Sequence, residues 1–231
     1  MRRGLLFVVV AVLFSAGAVV AGAVPDSNAN TRGVVLFVGD SNITFGAEAI
    51  DWTLTWQQHT DNGYVPVLAS RVGASIRTED CLDPTNCTTF NYWQEKLATI
   101  LRKINADAIV TDLGINDTTT PGTESTPGYS NYGQKIDWFM HLVGGKPVLW
   151  TDLPCAIEPS ARRTGCQSVN SALSLAPQRW PNLTVLAWSS EANGHPKYIA
   201  APDREVHYST VGETAWSRLV VTALDTRFRA P

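Results

Sequence analysis

Charge is scarce in this chain. Only 17% of its 231 residues are charged, no Lys/Arg run exceeds two residues, and the formal net charge is −3. A nucleic-acid surface needs a basic stripe, so no nucleic-acid partner is expected. Internal repeats and low-complexity tracts are missing too, which removes solenoids and fibres. There is one long apolar run, at the very start, so a polytopic membrane protein is excluded. Cysteine is limited to four residues with no C-x-x-C pair, and the four histidines are scattered. A zinc site is therefore a weak competing reading, and neither metal nor cofactor is expected. What the chain does have is 44% hydrophobic residues, enough to bury one large core.

Arg2 and Arg3 precede an uncharged stretch from Gly4 to Val24, strongly apolar over Leu5 to Phe14. It then turns small, through Ala16-Gly17-Ala18 and Ala21-Gly22-Ala23. That order reads as a secretory signal peptide over residues 1–23, cleaved after Ala23, leaving 24–231 as one domain. The same stretch is long enough to span a bilayer as an uncleaved anchor. Either way the body is exported, secreted or held at the cell envelope, with a membrane tether in the second case. An even cysteine count in an exported chain suggests two disulfides. The local pairs Cys81–Cys87 and Cys155–Cys166 are expected, because each brackets a loop rich in Pro, Asn, Thr, Ser or Gly.

Apolar runs alternate with amphipathic ones. Strands are expected over 33–39, 67–72, 108–113, 147–150 and 183–187. Helices are expected over 45–57, 92–105, 132–143, 169–178 and 211–225, the last opened by a capping box of Thr210 and Glu213. Strands alternating with helices imply a parallel sheet covered on both faces, a three-layer α/β/α sandwich. Ligands of such sheets sit beyond the C-terminal strand ends.

Those ends carry Gly39-Asp40-Ser41, then Gly73, then Gly114-Ile115-Asn116-Asp117. Asp203-Arg204-Glu205-Val206-His207 precedes the last helix. A serine hydroxyl needs a neighbouring base to become a nucleophile, and histidine has a suitable pKa. A carboxylate behind the histidine fixes its tautomer. The oxyanion formed from an ester needs N–H donors already in place. Ser41, Gly73, Asn116 and His207 supply nucleophile, donors and base.

G-D-S, a downstream Gly, G-x-N-D and a late Asp…His, in that order, resemble the SGNH (GDSL-like) hydrolase superfamily over nearly the whole mature chain. The resemblance implies a five-stranded sheet in the flavodoxin-like order 2-1-3-4-5. It implies Ser41 as nucleophile and His207 as base. It also implies an oxyanion hole from the Ser41 and Gly73 peptide N–H groups and the Asn116 amide. Two positions depart from the pattern. Asn42 stands where Leu is frequent. Arg204 stands three before His207, where the family places Asp. Asp203 is favoured as the third triad member, Glu205 is the alternative, and a Ser41–His207 dyad is the simplest case.

Alone, G-D-S is a turn signature and G-I-N-D a loop. Their joint order at successive strand ends is what carries weight. His59, His141 and His195 read as ordinary surface or packing residues. Most of the eight tryptophans read as core, although Trp52 and Trp56 could form a carbohydrate platform. The four N-x-T matches read as chance, since a glycan on Asn116 would block the site. The expected function is ester hydrolysis by a monomer, on a short acyl or acetyl ester, small or carbohydrate-borne. An O-acyltransferase and a non-catalytic envelope-binding module are the alternatives.

Overall fold

The computed structural model describes residues 32–51, 53–54, 63–76, 92–119, 131–155, 160–200 and 206–228. The expected signal peptide, the Cys81–Cys87 pair, Trp52, Trp56, His59 and the Asp203–Glu205 segment lie outside the described residues.

Five parallel strands form one sheet: β1 (Val34–Gly39), β2 (Val65–Ser70), β3 (Ala108–Thr111), β4 (Val148–Thr151) and β5 (Leu183–Leu186). Their order is β2-β1-β3-β4-β5. The sequence of β1, VVLFVG, has no polar alternation because both of its faces are covered. Leu36 and Val38 point into one core, with α2 (Tyr92–Lys103), α3 (Asn131–Val143) and α4 (Ser160–Leu175). Val35 and Phe37 point into the other, with α1 (Ser41–Phe45), α5 (Trp188–Gly194) and α6 (Thr210–Phe228). The two cores and the sheet between them are the expected sandwich. Among the described residues no helix is long and apolar enough to cross a membrane.

Several boundaries differ from the sequence expectation, each for a local reason. The helix expected over 45–57 begins at Ser41 and bends at Gly46, with residues 47–51 helical beyond it. Helix α4 starts nine residues before the expected position, because its first half, SARRTGCQS, is polar and shows no apolar stripe. Cys166 is therefore inside a helix rather than at the end of a loop. It is bonded to Cys155 as expected. Beside that disulfide, Leu153 and Asn170 exchange two 2.8 Å hydrogen bonds, fastening the exit of β4 to α4. The capping residue of α6 is Ser209, one position before Thr210. Its hydroxyl accepts from Gly212 N at 3.1 Å, so the Thr210–Glu213 box does not form. Helix α5 and a 3₁₀ turn over Pro196–Tyr198 were not expected from periodicity, because both are too short to show it.

The far ends of the strands are plainer. Gly144 closes α3 with φ +64° and its N–H bonded to Met140 O. A Cβ added at Gly144 or Gly145 would touch nothing within 4 Å.

The start of α6 is packed far more tightly. Tyr198 O accepts from Ser209 N at 2.8 Å, and a Cβ on Gly212 would lie 2.0 Å from that oxygen. Backbone on both sides leaves no room to yield. Gly212→Ala should cost about 2 kcal/mol or more, within the range of overpacked cores. Urea unfolding that shows no loss of stability would refute this close docking.

Candidate active site

Strand β1 delivers the chain into a sharp turn. A Cβ on Gly39 would lie 2.3 Å from Ile43 Cδ1 and 2.8 Å from Asp112 Oδ1, so only glycine fits there. Asp40 follows, fully buried, and caps α1 by accepting from Asn42 N at 2.9 Å. This cap sets the first turn of α1, whose opening residue is Ser41. Ser41 Oγ lies 2.9 Å from His207 Nε2. The expected nucleophile and base, 166 residues apart in sequence, thus share a hydrogen bond.

The loop carrying His207 is held from three sides. Ile199 and Tyr208 form an antiparallel bridge, with Ala200 N donating to His207 O at 2.8 Å. Tyr208 N donates to Asn42 Oδ1 at 3.3 Å. The Phe45 ring packs edge-on to the imidazole at 5.2 Å. Asn42, one of the two departures noted in the sequence, therefore ties α1 to the loop carrying His207, a role apolar leucine could not take.

The expected oxyanion donors come to the same place. Gly73 adopts φ +77°, a conformation other residues enter only with strain, in the turn after β2. That turn is closed by Ala74 N donating to Arg71 O at 3.0 Å. Asn116 opens a 3₁₀ turn, Asn116–Thr119, after β3. Its Nδ2 donates to Asp40 Oδ2 and to Ala74 O, both at 3.0 Å. Asp117 is fully buried. One of its oxygens accepts from Ile76 N and the other from Lys135 Nζ, each at 2.8 Å.

Sequence reasoning missed Asp112. It follows β3, is buried against Gly39, and neither carboxylate oxygen has a hydrogen-bond partner among the described residues. A charged residue directly after a fully buried strand was the available signal. Burial first, and repulsion by Asp40 second, push its pKa well above the ordinary carboxylate range. The nearby peptide N–H groups pull the other way, without making a hydrogen bond of good geometry. Asp40 is also pushed up, to about 7, by burial and then by the charge of Asp117, against the opposing pull of its hydrogen bonds to Asn42 and Asn116. Two acids are thus packed beside Ser41, and among the described residues neither is ion-paired with a lysine, arginine or histidine. Among the described residues no group of His, Cys, Asp and Glu could hold a metal ion.

No protein-family model and no curated protein sequence matches this chain. Solved structures do. The lipase/acylhydrolase from Enterococcus faecalis has a TM-score of 0.60 at 16% identity, covering 84% of this chain and 96% of its own. A carbohydrate acetylesterase family member from Sinorhizobium meliloti has a TM-score of 0.61 at 18% identity, covering 85% and 99%. The C-terminal catalytic domain of Streptococcus pneumoniae peptidoglycan O-acetyltransferase A, carrying a methylsulfonyl adduct, has a TM-score of 0.59 at 16% identity, covering 85% and 95%. At these identities the likeness is one of fold: the chain has the α/β/α fold of the SGNH hydrolases.

A buried acid with a raised folded pKa takes up a proton on folding, so its contribution to stability is present at low pH. It is lost as pH climbs through and above the ordinary carboxylate value of 3.8. Asp112→Asn escapes that loss. The stability advantage of the variant over the natural chain should widen as pH rises above 3.8, by up to about 1.4 kcal/mol per pH unit. A difference in urea midpoint that does not change with pH would show that Asp112 is not held neutral.

Proposed function

We propose that this chain is an exported serine hydrolase of the SGNH type that cleaves a short acyl or acetyl ester through an acyl-enzyme. The observation carrying this reading is the 2.9 Å hydrogen bond between Ser41 Oγ and His207 Nε2, beside Gly73 and Asn116 at the C-terminal edge of the sheet. As Ser41 Oγ attacks the ester carbonyl, His207 Nε2 takes its proton. The oxyanion of the tetrahedral intermediate is met by the Ser41 and Gly73 peptide N–H groups and by Asn116. His207 returns the proton to the departing alcohol, and water repeats the sequence to release the acid. Both N–H bonds of Asn116 already have acceptors. It donates to the oxyanion by sharing one of them, which keeps the amide fixed before the charge develops. Asp203 completes the triad behind His207, with Glu205 as the alternative carboxylate.

The surroundings support an apolar acyl group. Among the described residues the large hydrophobic side chains at least half exposed are Phe45, Val72, Leu175 and Val211. Three of these four stand within four positions of Ser41, Gly73 or His207. An acetyl or short acyl chain would cover such a rim, and a carbohydrate could carry the ester. The methylsulfonyl adduct on a transferase of the same fold supports a second reading, transfer of the acyl group to a sugar hydroxyl. The first half-reaction is the same, and product analysis with an alcohol acceptor separates the two. The N-terminal apolar stretch and the Cys155–Cys166 bond support export.

Ser41→Ala should abolish labelling by a fluorophosphonate probe. On p-nitrophenyl acetate and its longer homologues it should lower kcat by on the order of 10³-fold or more. Undiminished labelling would remove Ser41 as nucleophile, and a natural chain that is never labelled would favour a binding module. For the third member, Asp203→Asn should impair kcat strongly while Glu205→Gln stays near the natural value. Exchange of the two phenotypes would assign Glu205 instead. Losses below about tenfold in both, or roughly 1.4 kcal/mol, would leave a dyad.

A further inference from the structure

Among the described residues, Lys135 is the one lysine or arginine that is fully buried, with 1% of its surface exposed. It projects from α3 into the core beneath the oxyanion-hole loop. Its Nζ lies 2.8 Å from Asp117 Oδ1 and 5.6 Å from the centre of the Tyr132 ring. Tyr132 Oη is within 3.5 Å of Asp117 O. A buried ion pair is a poor source of stability, because the cost of removing both charges from water consumes most of their attraction. Packing alone would be served as well by an apolar pair of the same volume. The contacts of Asp117 indicate a different use.

Asp117 Oδ2 holds Ile76 N at 2.8 Å, while the preceding residue, Asn116, holds Ala74 O at 3.0 Å. Two successive residues of one 3₁₀ turn thus grip the loop after β2 at positions 74 and 76. Gly73, whose N–H must face the oxyanion, sits directly before the gripped segment and already holds a left-handed conformation. Asp117 grips best while ionised, since a carboxylate accepts a hydrogen bond far more strongly than a neutral acid. Full burial opposes ionisation, and so does the neighbouring carboxyl of Asp40, whose own pKa is raised by Asp117. The counter-charge at Oδ1 is what offsets both.

We propose that Lys135 is a positioning residue for the oxyanion hole, acting through Asp117 and Ile76 to fix the Gly73 N–H. Lys135 is closed off from any substrate, so it acts only through this chain of contacts. The proposal rests on the hydrolase reading above for its catalytic consequence, but not for the clamp itself.

The test uses the full chain and two variants, Lys135→Met and Lys135→Met/Asp117→Asn. The single variant should speed amide hydrogen exchange in the Gly73–Ile76 segment. It should also lower kcat on p-nitrophenyl acetate by on the order of 10- to 100-fold, the scale of a misplaced donor, with KM changed less than about twofold. The double variant removes both buried charges, so it should regain most of the lost Tm and give folded protein even where the single variant does not. Its neutral amide grips Ile76 more weakly, so kcat should stay low and exchange fast. A double variant with natural kcat and natural exchange at Gly73–Ile76 would overturn the proposal, and so would a folded single variant with unchanged exchange. Failure of the hydrolase reading looks different: the natural chain would neither turn over the ester nor take the fluorophosphonate probe, while exchange would still report on the clamp.

Discussion

The buried carboxyl of Asp40 is the point on which the C-terminal edge of this sheet depends. One oxygen shapes the first turn of α1 through Asn42 N, and the other receives the Asn116 amide, which reaches on to Ala74 O. Three segments that leave three different strands are joined through one side chain. β1 lies at the centre of this arrangement because β2 and β3 flank it on either side, in register over Val35–Val38. A residue at the end of β1 therefore touches both neighbouring loops without a long reach. Ser41 inherits its position from that geometry, and His207 is brought to it by the bridge between Ile199 and Tyr208.

Concentrating acids beside Ser41 has an electrostatic cost that the fold meets in two ways. Asp117 is paired with the buried Lys135. Asp112 has no such partner among the described residues, and burial favours its neutral form. Neutral Asp112 spares the edge that carries Ser41 and Asn116 a further negative charge. The same logic applies to the Tyr208 hydroxyl, whose pKa is raised by burial and by the nearby acids, so it too stays uncharged.

Much of this was legible in the sequence, and the exceptions have physical causes. The five strands stood out because each is a short apolar run bounded by turn residues, and the site residues stood out because they follow those runs. Helix α4 was half hidden because helices need only a stripe of apolar residues, and its first two turns have scarcely any. The cap at Ser209 was misplaced by one residue because Ser209 and Thr210 are both good caps, and only the packing of Gly212 on Tyr198 O decides between them. The pairing of Asp117 with Lys135 spans 18 residues, so no local pattern announces it. Asn42 read as a mild departure, since its value lies in a contact with Tyr208, distant in sequence. Asp203 and Glu205 lie outside the described residues, and the spacing to His207 alone leaves both open.

The Gly144–Gly145 turn has a practical meaning. It joins α3 to the N-terminal end of β4, on the side of the sheet away from Ser41, and it has open space around both residues. A fused reporter, an affinity handle or a surface linkage placed there would leave the edge that carries Ser41 and His207 unobstructed. The protein could then be immobilised in one orientation, with that edge turned uniformly outward.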